Sequence, residues 1–226
     1  MLLFYKVSYI LQVMKLTFAY DKERDIDCVL EYGKTSVNSL TQTKVYEELL
    51  ARYGDNPSKE KTSQFADDYF EEKNIDINTC ITTYQKHWDA IEDEYQKRAE
   101  SIFGVALSDN ITAYITINNR CPYNIDEHYF FVSVSGSPIL KTAMHELWHF
   151  YTWYKYGVKW EAKLGRDKYN EIKEALTVLL NVECKDLLPE GVQDYGYMQH
   201  KELREKILKL WEDDKNMDRL WEKLVL

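Results

Sequence analysis

Apolar residues recur at spacings of three and four through Leu140, Met144, Leu147, Trp148 and Tyr151, which predicts an amphipathic helix over residues 138–156 with its apolar face turned inward. Gly136-Ser137-Pro138 before it supplies a turn, an N-cap serine and a proline suited to the first helical position, and Gly157 fits the stop. From about Asn78 to Phe103, Tyr84, Trp88, Ile91, Tyr95 and Ile102 share one stripe among charged and amide side chains, so this run reads as one long helix that backs a sheet. Another helix is expected from Asp167, as N-cap, through Asn181, and residues 39–53 and 61–72 read as helices parted by the turn-rich Gly54-Asp55-Asn56-Pro57-Ser58. Strand patterns replace helical spacing twice. Ile111, Ala113, Ile115 and Ile117 lie on one face of a strand at 110–117, and Tyr129-Phe130-Phe131-Val132-Ser133-Val134 is a second strand.

The order of these elements predicts an α+β fold: a small mixed sheet with a backing helix and the 138–156 helix, followed by a mainly helical C-terminal lobe. Residues 1–75 are read as an N-terminal subdomain of strand plus helices, 76–157 as an α/β lobe and 158–226 as the helical lobe. No internal repeat, low-complexity tract or long linker interrupts them. The first twenty residues are apolar, but Lys6 and Lys15 break the run and no basic start or small-residue cleavage site is evident. They fall short of the roughly 18 uninterrupted apolar residues of a membrane span. Strands or a packed N-terminal segment, and a cytoplasmic location, are therefore expected. Met14 begins a second plausible start, which makes residues 1–13 a candidate upstream extension.

A formal net charge of -9 disfavours nucleic-acid binding, which relies on clustered Lys and Arg to neutralise phosphates. Neutral or basic peptides suit such a surface better, and neither a nucleic acid nor a membrane is expected as a partner. Cys28, Cys80, Cys121 and Cys184 lie far apart with no CxxC pair, so they read as reduced thiols rather than a disulfide framework or a zinc knuckle.

The chemistry is concentrated in His145-Glu146-Leu147-Trp148-His149, an HExxH sequence. Residues four apart share a helix face, so His145 and His149 can direct ring nitrogens at one zinc ion, with Glu146 beside the metal. Zinc lowers the pKa of bound water to roughly 7, and a carboxylate so placed can take the proton as water attacks a carbonyl, which predicts amide hydrolysis. Catalytic zinc usually takes a third protein ligand. The longer HExxHxxGxxH pattern is excluded, because Thr152 and Lys155 stand where Gly and His would be. The next helix offers Glu171 and Glu174. Ile172, Ala175, Leu176 and Leu179 mark its buried face, and Glu171 lies nearer the centre of that face, so periodicity leaves both open.

With HExxH followed by Glu174-Ala175-Leu176, the chain resembles the gluzincins, zinc metallopeptidases completed by a glutamate from a later helix; the resemblance spans roughly residues 80–185. It implies a zincin-like fold, one catalytic zinc ion held by His145, His149 and Glu174, Glu146 as general base, and a peptide or protein substrate. Glu171 is the reserve ligand. Thermolysin-like members carry, four residues after that glutamate, an Asp that orients a zinc-bound histidine; Val178 stands there, so Asn181 or a backbone carbonyl is expected to take that part. The resemblance further implies an edge strand that pairs with extended substrate, either 110–117 or 129–134, with the loop Asn118 to His128 as a rim. Tyr197 and His200, near the start of an expected helix, are candidate donors to the oxyanion. Trp148 reads as packing, and His87 and His128 as structural or solvated. Two alternatives remain: a catalytically silent zincin-fold binding or regulatory protein, and a helical interaction domain built on Leu203, Ile207, Trp211, Leu220, Trp221 and Leu224, a stripe more simply read as core.

Overall fold

The computed structural model describes residues 14–34, 42–135 and 138–225. The proposed extension at residues 1–13 and the Gly136-Ser137 turn lie outside the described residues. In chain order the elements are β1 (Leu16–Ala19), α1 (Lys22–Tyr32), α2 (Lys44–Tyr53), α3 (Lys59–Glu72), α4 (Ile77–Asp89), α5 (Glu92–Phe103), β2 (Ile111–Thr116), β3 (Tyr123–Asn124) and β4 (Tyr129–Ser133). There follow α6 (Ile139–Thr152), α7 (Val158–Leu164), α8 (Arg166–Leu176), α9 (Leu180–Glu183), α10 (Lys201–Asp213) and α11 (Met217–Leu224). Among the described residues the fold is mixed α+β, mostly helical, around one four-stranded sheet.

That sheet runs β1-β2-β4-β3, with β1, β2 and β4 parallel and β3 antiparallel to β4. The strands expected to offer an open edge, 110–117 and 129–134, are therefore its two interior members, and the edges are β1 and β3. The edge of β1 is covered by side chains. Gln85 Oε1 accepts from the Phe18 amide at 2.9 Å and its Nε2 donates to the Leu16 carbonyl at 3.0 Å, while Glu92 accepts from the Leu16 amide at 2.8 Å. Covered edges of this kind cannot recruit a foreign strand.

The same Glu92 explains why residues 78–103 form two helices rather than one. Its carboxylate, 4% exposed, turns inward to meet Leu16, Lys15 and the Trp88 indole, and the chain breaks at Ala90 and Ile91 to let it do so. Trp88 and Tyr95, from either side of the break, meet edge to face with ring centres 5.5 Å apart, and the Tyr95 hydroxyl donates to the Met144 carbonyl at 2.8 Å. α4 packs on β1 and α5 on α6, so this pair holds α6 against the sheet. Thr43 and Ser58 cap α2 and α3, which start at Lys44 and Lys59; α3 thus begins two residues before 61, and the expected helical residues 39–41 lie outside the described residues.

Gly157 is not a stop. Beyond Thr152 the helix widens through a π-helical turn, Trp153–Gly157, and continues as α7. A Cβ at residue 157 would overlap the Trp153 ring, so the glycine permits close packing inside the helix. The chain stops instead at Gly165, whose φ of +78° favours glycine. α8 begins directly after it, so Asp167 sits in the first turn and is not the cap. It ends at Leu176, tightens over Thr177–Leu179 and resumes as α9.

One core joins the sheet to α4–α11 through residues such as Trp88, Phe103, Leu147, Trp148 and Trp221, and a smaller cluster of Val29, Leu49, Phe65 and Ile117 lies beneath α1, α2 and α3. Ile207, Trp211, Leu220 and Trp221 are buried in the large core, which accounts for the C-terminal stripe. The four cysteines are free. Among the described residues no helix is long and apolar enough to cross a membrane.

Candidate metal centre

Ala143, Met144, Leu147 and Trp148 lock α6 into the core and leave His145 and His149 on its flank, with ring centres 4.6 Å apart. α8 is anchored in turn by Tyr169, Ile172, Ala175 and Leu176, and this sets Glu174 facing both imidazoles. Glu174 Oε2 lies 3.4 Å from His149 Nε2 and 3.7 Å from His145 Nε2. One ligand atom from each of the three residues falls within 4.8 Å of the other two. Bonds of roughly 2.0–2.1 Å in a tetrahedron put ligand atoms about 3.4 Å apart, so the three side chains fit a single zinc-sized ion.

The outer support comes from a residue the sequence pattern did not single out. His145 Nδ1 lies 2.6 Å from Asp194 Oδ2, an arrangement that holds a proton on Nδ1 and makes Nε2 the nitrogen a metal would take. Asp194, 6% exposed, is itself held on every side. Its other oxygen accepts from Thr177 Oγ1 and pairs with Arg204 Nη2, both at 2.9 Å, and its backbone amide and carbonyl bond the Asn181 side chain at 2.5 and 2.8 Å. Asn181, expected to orient the histidine directly, thus acts one bond further out. Gly196, at φ +60°, lets this loop lie flat on the Arg204 guanidinium, which a Cβ there would overlap.

The charges follow from this geometry. Burial alone would lower the pKa of His145, but the carboxylates of Asp194 and Glu174 outweigh it and hold the imidazole up to about 10. His149 goes the other way, since burial pushes it down to about 4 against the pull of Glu174. Burial raises Glu174, yet His149, His145 and Lys173 together bring its carboxyl far below the usual carboxylate range. Glu146 is pushed up to about 7, chiefly by burial and partly offset by His145. It is 7% exposed, and its Oε2 is buried with no protein partner.

Glu146, Tyr197 and His200 line the same open cleft of about 570 Å³ as the three candidate ligands. Tyr197 and His200 meet edge to face with ring centres 5.5 Å apart; they sit on an extended segment and the short 3-10 turn Met198–His200, ahead of α10 rather than within a helix from 194. Burial raises the Tyr197 hydroxyl, which keeps it protonated as a donor. Glu171 also borders the cleft, but its carboxylate is bonded to Lys168 at 2.7 Å and lies outside the cluster. Trp148 packs on Phe103 at 4.9 Å; His87 is exposed on α4, and His128 meets the Tyr154 hydroxyl at 3.1 Å. The cleft wall also carries Tyr123, from the loop expected to form its rim, and Lys173, whose place beside the ligand glutamate was the one signal for it in the sequence. The chain matches no family model, no curated protein and no solved structure.

Proposed function

We propose that the protein is a zinc-dependent metallopeptidase of the gluzincin type, with a zincin-like arrangement of sheet, HExxH helix and helical lobe. The observation that carries this reading is the convergence of His145, His149 and Glu174 on one point, with Asp194 fixing the tautomer of His145. Zinc held there would supply a Lewis acid for the scissile carbonyl and a nucleophilic water near neutral pH. Glu146, which lines the cleft beside that point, accepts the proton of the attacking water and passes it to the leaving amine. Tyr197 or His200 donates to the oxygen that becomes negative as water adds. β3 is the sheet edge that reaches the cleft, through Tyr123, and is the strand proposed to pair with extended substrate.

The feature that distinguishes the catalytically silent alternative is the missing Asp at Val178; Asp194 brings a carboxylate to His145 from a different segment, which supports the active reading. Glu146→Gln tests the reading: the variant should bind zinc stoichiometrically, as measured by elemental analysis, and hydrolyse a broad peptide library at least about a hundredfold more slowly than wild type. Full hydrolysis by Glu146→Gln would refute it.

A further inference from the structure

Lys173 occupies an unusual place. It is 3% exposed and points into the wall of the cleft beside a candidate metal ligand. A buried ammonium is tolerated only where charge and hydrogen bonds are both satisfied. Here Nζ lies 2.9 Å from Glu174 Oε1 and donates to the Tyr123 hydroxyl at 2.5 Å. Consecutive residues of a helix point about 100° apart and do not ordinarily meet. Contact between Lys173 and Glu174 therefore requires both side chains to bend toward each other, and the geometry of α8 alone does not produce it. The two oxygens of Glu174 are consequently unlike. Oε2 faces the two imidazoles, and Oε1 faces the ammonium.

We infer that Lys173 is a positioning residue that commits Glu174 to bind the metal through Oε2 alone and, through Tyr123, holds the edge strand β3 at a set distance from the metal ligands. The inference rests on the metal-centre reading above. A carboxylate free of such a partner can swing to offer both oxygens to one ion; with Oε1 already engaged, one oxygen binds and a coordination position stays open. The bond to Tyr123 links α8, which carries the ligand, to β3, whose Tyr123 ring also packs 5.5 Å from His149 and 6.3 Å from Phe150 on α6.

The test compares wild type, Lys173→Met and Tyr123→Phe, each stripped of metal and titrated with zinc against a chromophoric chelator, then loaded with Co²⁺ for visible absorption. Lys173→Met should bind zinc about ten- to a hundredfold more weakly, in keeping with loss of an outer-shell partner. Its Co²⁺ bands should weaken as the second carboxylate oxygen joins the coordination. Tyr123→Phe should keep the wild-type affinity and Co²⁺ spectrum while raising KM for peptides. X-ray absorption of the zinc-loaded wild type, which needs no variant to fold, should show one carboxylate oxygen at bonding distance. Two such oxygens, or a Lys173→Met protein with wild-type affinity and spectrum, overturns the inference and leaves the metal reading standing. A wild type that fails to take up zinc overturns both.

Discussion

Asp25, on α1 and 0% exposed, offers the sharpest test of the electrostatics of the fold. Its Oδ1 accepts from the Thr116 hydroxyl at 2.6 Å and the Ile117 amide at 3.1 Å, and its Oδ2 from the Tyr20 hydroxyl at 3.2 Å. These bonds hold the end of β2, from which the rim of the cleft departs. Burial nevertheless dominates and pushes the carboxyl up to about 6 from 3.8, with Thr116, Ile117 and Tyr20 only partly offsetting it. The folded state thus holds this proton more tightly than the unfolded chain. Between pH of about 4 and 6 the unfolded chain has released it while the folded protein retains it, so this group's contribution to stability falls as pH rises through that window and is flat above it. A shift of roughly two units corresponds to about 3 kcal/mol at 1.36 kcal/mol per unit. Asp25→Asn removes the titration and keeps the shape: its carbonyl can accept from Thr116 and Ile117, and its amide can donate to the Tyr20 oxygen. Urea denaturation of wild type and variant from pH 4 to 8 isolates the effect, because every other titrating group cancels in the difference. Because more than half of the unfolded chains have already released this proton at pH 4, the variant should gain about 2.4 kcal/mol on wild type between the two ends of the series. A difference that stays constant with pH, or runs the other way, would show that Asp25 is not a buried carboxylate of this kind.

Three more outcomes are expected. Asp194→Asn should weaken zinc binding about ten- to a hundredfold in a chelator competition, because the amide can present an N–H instead of an acceptor to His145 Nδ1. Glu174→Ala should lose stoichiometric zinc by elemental analysis, whereas Glu171→Ala, which removes only a surface pair with Lys168, should retain it. Gly157→Ala should lower stability by about 1–3 kcal/mol in thermal or urea unfolding, since the added methyl meets the Trp153 ring inside the π-helical turn.

How much of this is legible in the chain depends on the range of the interaction. Leu140 through Tyr151 and Ile111 through Ile117 announce α6 and β2 because helical and strand periodicity are properties of a few consecutive residues. The i, i+4 spacing of His145 and His149 is equally local, so the shared face of the two imidazoles follows from the sequence alone. The break at Ala90 and Ile91 is not legible, because it answers a need of β1 seventy-odd residues away: a carboxylate from Glu92 for an unpaired amide at Leu16. Asp194 follows the same logic. Its neighbours Tyr195 and Gly196 form no periodic pattern, and its role is created by Arg204, Thr177 and Asn181 converging from three other segments. Sheet order belongs to this class too, since the alternation in β2 and the apolar run of β4 reveal strands but not that β1 and β3 would flank them. Short-range patterns thus deliver the candidate ligands on α6, while Asp194, which faces His145, arises only where distant segments meet, and Lys173, next to Glu174 in the chain, gains its second partner, Tyr123, from the distant β3. Variants of Asp194 and Lys173 are for that reason the more searching experiments: they leave the HExxH pattern intact, and any loss of zinc affinity they cause must come from the folded geometry.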